Sequence, residues 1–445
     1  MLIEPQFRSA DADRIWRLDA RLRRMLAFEA GLAAAQAKAG LIPEAAAARI
    51  AEACAAPCPG DDDAFRLAAT AGNPAIPFVA RLTAQVAAAA PEAAAHVHRG
   101  ATSQDVIDTA MVLGLAEIAA ALDTTLREAM RALAALASSH ATTPIAARTL
   151  LQQATPITFG LKAAQWLAAL DRARRGVAAL RGDAFAVQLG GATGTLAGMG
   201  AAGPAIRAGL ARRLGLADPG QCWHTIRDRV LAIGAAFAAV AGAAAKIAGD
   251  VELLMQSEVG ELRERAEPGR GGSSAMPHKR NPVDPLVPVA ILPVVGGLVA
   301  ALATSQAHAH ERAAGAWHAE WIVLPQLSAL TLAAAERLAA LVAGLEVDTA
   351  RMAANLELHR GLLAAEALAA ALAAKLGRAD AHRLVEMLSA RVRDGHGDLA
   401  ALAAAEPAVV AAIDAESLRV VFAHAGPLAS AAAEARRLID RHRPE

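Results

Sequence analysis

Between Pro219 and Pro268 the chain sets apolar residues at alternating intervals of four and three: Ile226, Val230, Ile233, Phe237, Val240, Ala244, Ile247, Val251 and Leu254. That spacing draws a single stripe down one side of an α-helix. A helix from about Thr225 to Leu262 would be roughly 57 Å long, far beyond the usual globular helix. An element of that length cannot bury its stripe alone, so long partners must lie beside it. Val106–Ser139, Thr155–Arg181 and the run after Pro285 are the candidates. The stripe therefore predicts an all-α protein built round a bundle of long helices. We expect three helical domains: 1–104, a central bundle at 105–346 that carries the loop 268–285, and 347–445. The first is punctuated by Gly40, Pro43, CPGDDD and AGNPAIP, the last by Gly377, DGHGD and Ala405–Pro407. No alternating strand pattern of any length is visible.

Composition points the same way. Alanine and leucine dominate 445 residues that include eight Phe, five Trp and no Tyr. Alanine is the strongest helix former and small enough for helices to approach closely. The 44 Lys and Arg residues balance 44 Asp and Glu, which removes any bulk attraction to nucleic acid or an anionic membrane. Cys54, Cys58 and Cys222 make no metal or redox spacing, and an odd number closes no disulfide framework. Reduced thiols in a cytoplasmic protein are the expectation. The N-terminal MLIEPQFRSADADRIW has no apolar core of a signal peptide. Val230–Ala245 is shorter than the roughly 20 residues of a membrane span, and Leu286–Ala303 contains Pro288, Pro293, Gly296 and Gly297. Both are expected as buried helices of a soluble protein.

Four stretches have the residues for chemistry. PGRGGSSAMPHKRNPVDP, 268–285, cannot be a regular helix and is read as a deliberate loop. Its small hydroxyls at Ser273 and Ser274, with Lys279, Arg280 and Asn281, are groups that hold an anion. Glycines can turn backbone amides inward, and Lys279 adds charge, so the loop could stabilise an anionic intermediate or ease ionisation of Ser273. A mobile basic linker is the alternative. In HRGATSQDVIDTAMVL, 98–113, Thr102 or Ser103 can cap a helix, with Asp105 reaching back to its first amides. The same helix start, preceded by His98 and Arg99, is also a carboxylate site. GMGAAG at 198–203 matches a dinucleotide pattern, but QLGGATGTLA precedes it where a strand should be, so a tight break between helices is expected. In HAHERAAGAWHAEW, 308–321, His308 and His310 are two apart and make no HExxH spacing, so no metal is expected. Arg312 is the residue of interest there, since a guanidinium can grip a carboxylate at two points.

Taken together, these stretches resemble the fumarase/aspartase superfamily over nearly the whole chain, with GSSAMPHKRNP at 272–282 similar to its signature loop. The resemblance implies an all-α homotetramer with a central helical bundle and each active site assembled from three subunits. It implies addition or elimination across the bond next to a carboxylate, through a carbanion drawn out as an aci-carboxylate, with no metal and no redox cofactor. By position, Ser273 matches the loop serine that acts as base or proton carrier. Lys279 and Asn281 match groups that hold a carboxylate and its developing charge, and Thr102 and Ser103 match the pair that grips another. His98, in the first of these stretches, and Arg148 and Gln152 are further candidate substrate contacts.

HRGATSQDVIDTA, QLGGATGTL, WHTIRDR (223–229) and HERAAGAWHAEW are similar to the carboxymuconate-cyclising branch of that superfamily. A tricarboxylate substrate asks for several cations, and Lys279, Arg312 and Arg148 are the candidates. Adenylosuccinate lyases carry a histidine where this chain has Leu150, and a His–Asp pair where it reads Gly72–Asn73. Both differences argue against a fumarate-releasing lyase, the alternative reading. The cyclising branch typically has tryptophan at the position of Leu150 and histidine at that of Gln153, so the pocket differs there too. A helical assembly protein that has lost the chemistry is a rival of another class, opposed by the intact polar groups of the loop.

Overall fold

A computed structural model describes residues 4–56 and 61–444. Helices dominate it, and the longest are Leu18–Lys38, Ser103–Ser139, Phe159–Ala179, Asp228–Met255, Leu286–Ser305 and Ala316–Ala343. The chain is all-α, as the stripe predicts. Val230, Ile233, Phe237, Val240, Ala244, Ile247, Val251 and Leu254 are all buried. The helix is shorter than expected, with 28 residues or about 42 Å. Ile226 lies ahead of it and is exposed, because the Arg227 carbonyl starts the helix by accepting from Val230 and Leu231 N–H.

Contacts divide the chain into two units, each made of discontinuous stretches. One comprises 1–126, 172–245 and 287–337, the other 127–171, 246–286 and 338–445. In the first, Phe28, Leu32, Phe78, Ile206, Leu210 and Trp317 share a core. Close approach depends on small residues: a Cβ on Gly114 would stand 2.9 Å from the Trp16 ring. In the second, Leu368, Leu372, Val385, Leu388, Leu399 and Val409 form another core.

Strands are present, against expectation. β1 (Pro144–Thr149) and β2 (Gln152–Thr158) form an antiparallel hairpin with Arg148 opposite Gln153, Thr149 opposite Gln152 and an irregularity at Ala146/Ala147. β3 (Leu262–Arg263) and β4 (Glu346–Val347) make a minimal second pair. Thr155–Thr158, expected in a helix, therefore belongs to β2, and the helix starts at Phe159. The hairpin turns on Leu150 and Leu151, both left-handed (φ 50° and 66°) and 97% and 75% exposed.

By length and composition, Asp228–Met255, Leu286–Ser305 and Ala316–Ala343 are each apolar enough to cross a membrane. The expectation of burial holds for half of the first but fails for most of the second. Leu286, Val289, Leu292 and Val294 are exposed on it, because its apolar residues run round the helix instead of along one stripe. Neither Cys54 nor Cys222 is in a disulfide; Cys58 lies outside the described residues.

Candidate active site

In the first unit, Thr102 stands just ahead of the Ser103–Ser139 helix. Its backbone N–H donates to Asp105 at 3.0 Å, the reach-back of a capping box. Asp105 is fully buried and does more than cap. It also accepts from Gly190 and Gly191 N–H, both at 2.9 Å, and from His224 Nε2 at 2.7 Å. The glycines are needed there, since a Cβ on Gly190 would stand 2.4 Å from the Cys222 sulfur. With Asp105 tying the helix start to the QLGGATG loop, the Thr102 and Ser103 hydroxyls, both half-buried, have no partner among the described residues. Two free hydroxyls at a helix N-terminus fit a carboxylate.

Two histidines flank this helix start. Burial opposes the charged form of His224, but its bond to Asp105 and the neighbouring Cys222 outweigh that and push its pKa to about 9. His98 follows the same pattern: burial opposes its charge, while Glu29, 2.6 Å away and itself buried, holds the pKa above the ordinary histidine value. His98 also has a left-handed backbone, φ 54°, a strain that persists where the surroundings impose it. Glu29 and His224 belong to the candidate site through these contacts, and sequence reasoning missed both.

The GMGAAG stretch is a 3-10 turn at Ala197–Ala202, and Asp218 is paired with Arg207 at 2.8 Å. It is a break between helices, as expected. The HAHER stretch brings Arg312 to Gln104 and to the Ala192 carbonyl, at 3.2 and 3.1 Å. Trp317 is buried and donates to Asp108 at 2.8 Å, and His308 lies 3.4 Å from the buried Glu320. His310, Glu311 and Arg312 are exposed, while Trp317 and Glu320 are buried.

In the second unit, Arg148 on β1 grips the fully buried Glu261 at both oxygens, 2.9 and 2.7 Å. Asn355 donates to the same carboxylate at 2.8 Å. The Arg148 charge is thus matched within the protein, which separates it from Lys279 and Arg312. Gln152 is exposed beside the hairpin tip, and Gln153 turns away to the Asn355 carbonyl at 3.1 Å.

The 268–285 segment is irregular, as expected, and it is not a loose linker. Glu264 accepts from Val283 and Asp284 N–H at 2.8 and 2.7 Å. Arg270 pairs with Asp284 and Glu267, and Asn281 N–H donates to the Gly271 carbonyl at 2.7 Å. These contacts close the two ends of the loop on each other. Gly271 has φ 65°, and a Cβ there would stand 2.5 Å from the Asn281 carbonyl oxygen. Within the loop, Ser273 Oγ accepts from Ala275 and Met276 N–H at 3.3 and 3.1 Å. Two amide donors on one hydroxyl oxygen favour its anionic form. Lys279 and Asn281 line a cavity of about 610 Å³ with Arg263, Glu264 and Arg280. The sequence-predicted residues thus fall into two sets: His98, Thr102, Ser103 and Arg312 in one unit, and Arg148, Gln152, Ser273, Lys279 and Asn281 in the other.

These groups accompany a broad likeness to known proteins. A lyase family model matches residues 6–295. A 3-carboxy-cis,cis-muconate cycloisomerase of Bradyrhizobium diazoefficiens is 46% identical over 423 residues, covering 95% of this chain and 92% of that protein. One from Pseudomonas aeruginosa is 43% identical over 441 residues, covering 99% and 96%. The crystal structure of 3-carboxy-cis,cis-muconate lactonizing enzyme from Pseudomonas putida matches with a TM-score of 0.91 at 39% identity, over 99% of this chain and 98% of that one.

Proposed function

The chain belongs to the lyase family, within the fumarase/aspartase superfamily, and from that premise we propose that it interconverts 3-carboxy-cis,cis-muconate and 4-carboxymuconolactone. The near-full-length likeness to enzymes of that name supports the substrate. The observation that carries the polyanionic character of the ligand is the pairing pattern. Arg148 is neutralised by Glu261, while Lys279 has no ion-pair partner among the described residues and Arg312 bonds only neutral oxygens.

On cyclisation a carboxylate oxygen of the substrate adds across a double bond, so that a C–O bond forms and the π pair moves to the carbon beside another carboxylate. The charge spreads into that carboxylate as an aci-carboxylate, which Lys279 and Arg312 stabilise. Thr102, Ser103, Asn281, Gln152 and His98 position the carboxylates, and Arg148 steadies the hairpin that carries Gln152. Ser273 carries the proton: its oxygen, held by two amides, takes it in lactone opening and returns it in cyclisation. No metal or redox cofactor enters these steps.

We further propose a cytoplasmic homotetramer whose active sites draw residues from more than one subunit, with the divisions 1–104, 105–346 and 347–445. The oligomer is supported by the exposed apolar surface of Leu286–Ser305, the kind of surface that a monomer rarely leaves to water.

The test is the ultraviolet absorbance of 3-carboxy-cis,cis-muconate mixed with the purified protein and no added metal. Loss of the conjugated diene band with the lactone as product supports the reading. A flat trace from folded protein removes this substrate, and fumarate release from adenylosuccinate or argininosuccinate would establish the alternative lyase. Ser273→Ala and Lys279→Ala should each lower turnover by about 100-fold or more with an unchanged circular dichroism spectrum. Near-normal rates in both would take the loop out of the mechanism.

A further inference from the structure

Arg227 is buried between Asp108 and Glu320, paired with both, and its guanidinium lies 4.7 Å from the centre of the Trp223 ring. The sequence places it in WHTIRDR without assigning it a role. Asp108, also buried, accepts from Arg227 Nη1 at 2.8 Å and from Trp317 Nε1 at 2.8 Å. It further accepts from Gln104 and Gln188 side-chain amides at 3.2 and 3.3 Å. This is a buried ionic group in which every member has partners, the condition under which such a network is rigid.

Gln104 is fully buried at its edge. Its Nε2 donates to Asp108 and to the His224 carbonyl, at 3.2 and 2.8 Å. With both donors so engaged, Oε1 can face only the other way, where it accepts from Arg312 Nε at 3.2 Å. Arg312 makes one further bond, from Nη2 to the Ala192 carbonyl. A guanidinium carries five N–H donors; two are used here, and the rest have no partner among the described residues. One backbone oxygen alone would leave the group free to swing. The second bond, on Nε, fixes which edge is presented.

We propose that Gln104 is a positioning residue: it orients Arg312, with the Asp108–Arg227–Glu320 group as its rigid support. This rests on the reading of Arg312 as a cation that meets the substrate. Gln104 itself touches no reacting atom. Its effect reaches the chemistry only through Arg312, and a displaced guanidinium loses the alignment that stabilises the developing carboxylate charge.

The experiment compares kcat and KM for 3-carboxy-cis,cis-muconate in Gln104→Met, Arg312→Ala and the double variant, with melting temperatures alongside. Gln104→Met keeps the shape and removes the amide. The expected result is a loss in kcat/KM of about 10- to 100-fold for Gln104→Met and about 100-fold or more for Arg312→Ala. The double variant should be no worse than Arg312→Ala alone, since Gln104 has nothing left to orient. Gln104→Asn keeps both polar ends but draws them back by one methylene, so the same comparison can be read from it where the Met variant does not fold. Losses that multiply in the double variant, or near-normal Gln104 variants beside a crippled Arg312→Ala, overturn the positioning role. A wild-type rate in Arg312→Ala removes the reading of Arg312 itself, a result that no Gln104 defect can imitate.

Discussion

Asp105 joins the helix start at Thr102, the glycines at 190 and 191, and His224. Its capping of the helix was legible in the sequence, because a cap and its acid lie three residues apart. Its bond to His224, 119 residues away in sequence, was not. Glu29, which raises the pKa of His98, and Glu261, which neutralises Arg148, were hidden for the same reason. One signal was available: Asp108 shares a helical stripe with Val112 and Leu115, both buried, and a charge in an apolar stripe must find a partner. His224 makes a pH-dependent contribution to stability. Its folded pKa, about 9, lies above the ordinary value of 6.5, so the stabilisation is complete below about pH 6.5 and is lost as pH rises through about 9. Its size is on the order of 3 kcal/mol. Urea unfolding at about pH 6.5 and about pH 9 should show that fall, and Asp105→Asn should flatten it. An unchanged pH slope in Asp105→Asn would mean that the pair does not govern it.

At the scale of elements, the long helices were legible because a stripe of period 3.6 spans many turns and averages out local noise. The β1–β2 hairpin was not, because its turn lacks the Asn-Gly or Asp-Gly that marks such turns. Leu150 and Leu151 hold positive φ without the glycine that would relax it, and each such residue costs on the order of 1–3 kcal/mol. Putting asparagine at the first position and glycine at the second should therefore stabilise the protein, by about 1 kcal/mol or more after the entropy cost of glycine. The measurement is the melting temperature of the Leu150→Asn/Leu151→Gly double variant. A fall would show that the exposed leucines are held by contacts beyond the single chain. The signature loop shows the converse case. Its irregularity was evident from Gly and Pro, but its closure by Glu264 and Arg270 depends on side chains whose pairing no motif encodes.

For the whole molecule, the feature left unexplained by one chain is Leu286–Ser305. Leu286, Val289, Leu292 and Val294 are exposed on a helix that is apolar almost throughout. Leu292→Glu with Val294→Glu should shift the species seen by light scattering from a tetramer toward smaller forms, because a glutamate desolvated in an apolar interface is strongly unfavourable. It should also lower activity if sites are shared between subunits. A wild-type protein that runs as a monomer would end the tetramer proposal. A variant that stays tetrameric would move the interface elsewhere.

The helical class, the long central helix, the loop at 268–285 and the residue types able to hold carboxylates could all be read from the chain before any folding. Each is set within a short window, by period, by backbone preference or by the chemistry of one side chain. Which of those groups are available to a ligand emerged only in the folded molecule. Folding closed Arg148 on Glu261, left Lys279 without a counter-charge among the described residues, turned Gln104 toward Arg312 and raised the pKa of His224 through Asp105. Charge and hydrogen bonding are settled between partners, and in this fold those partners lie 113, 119 and 208 residues apart in the chain.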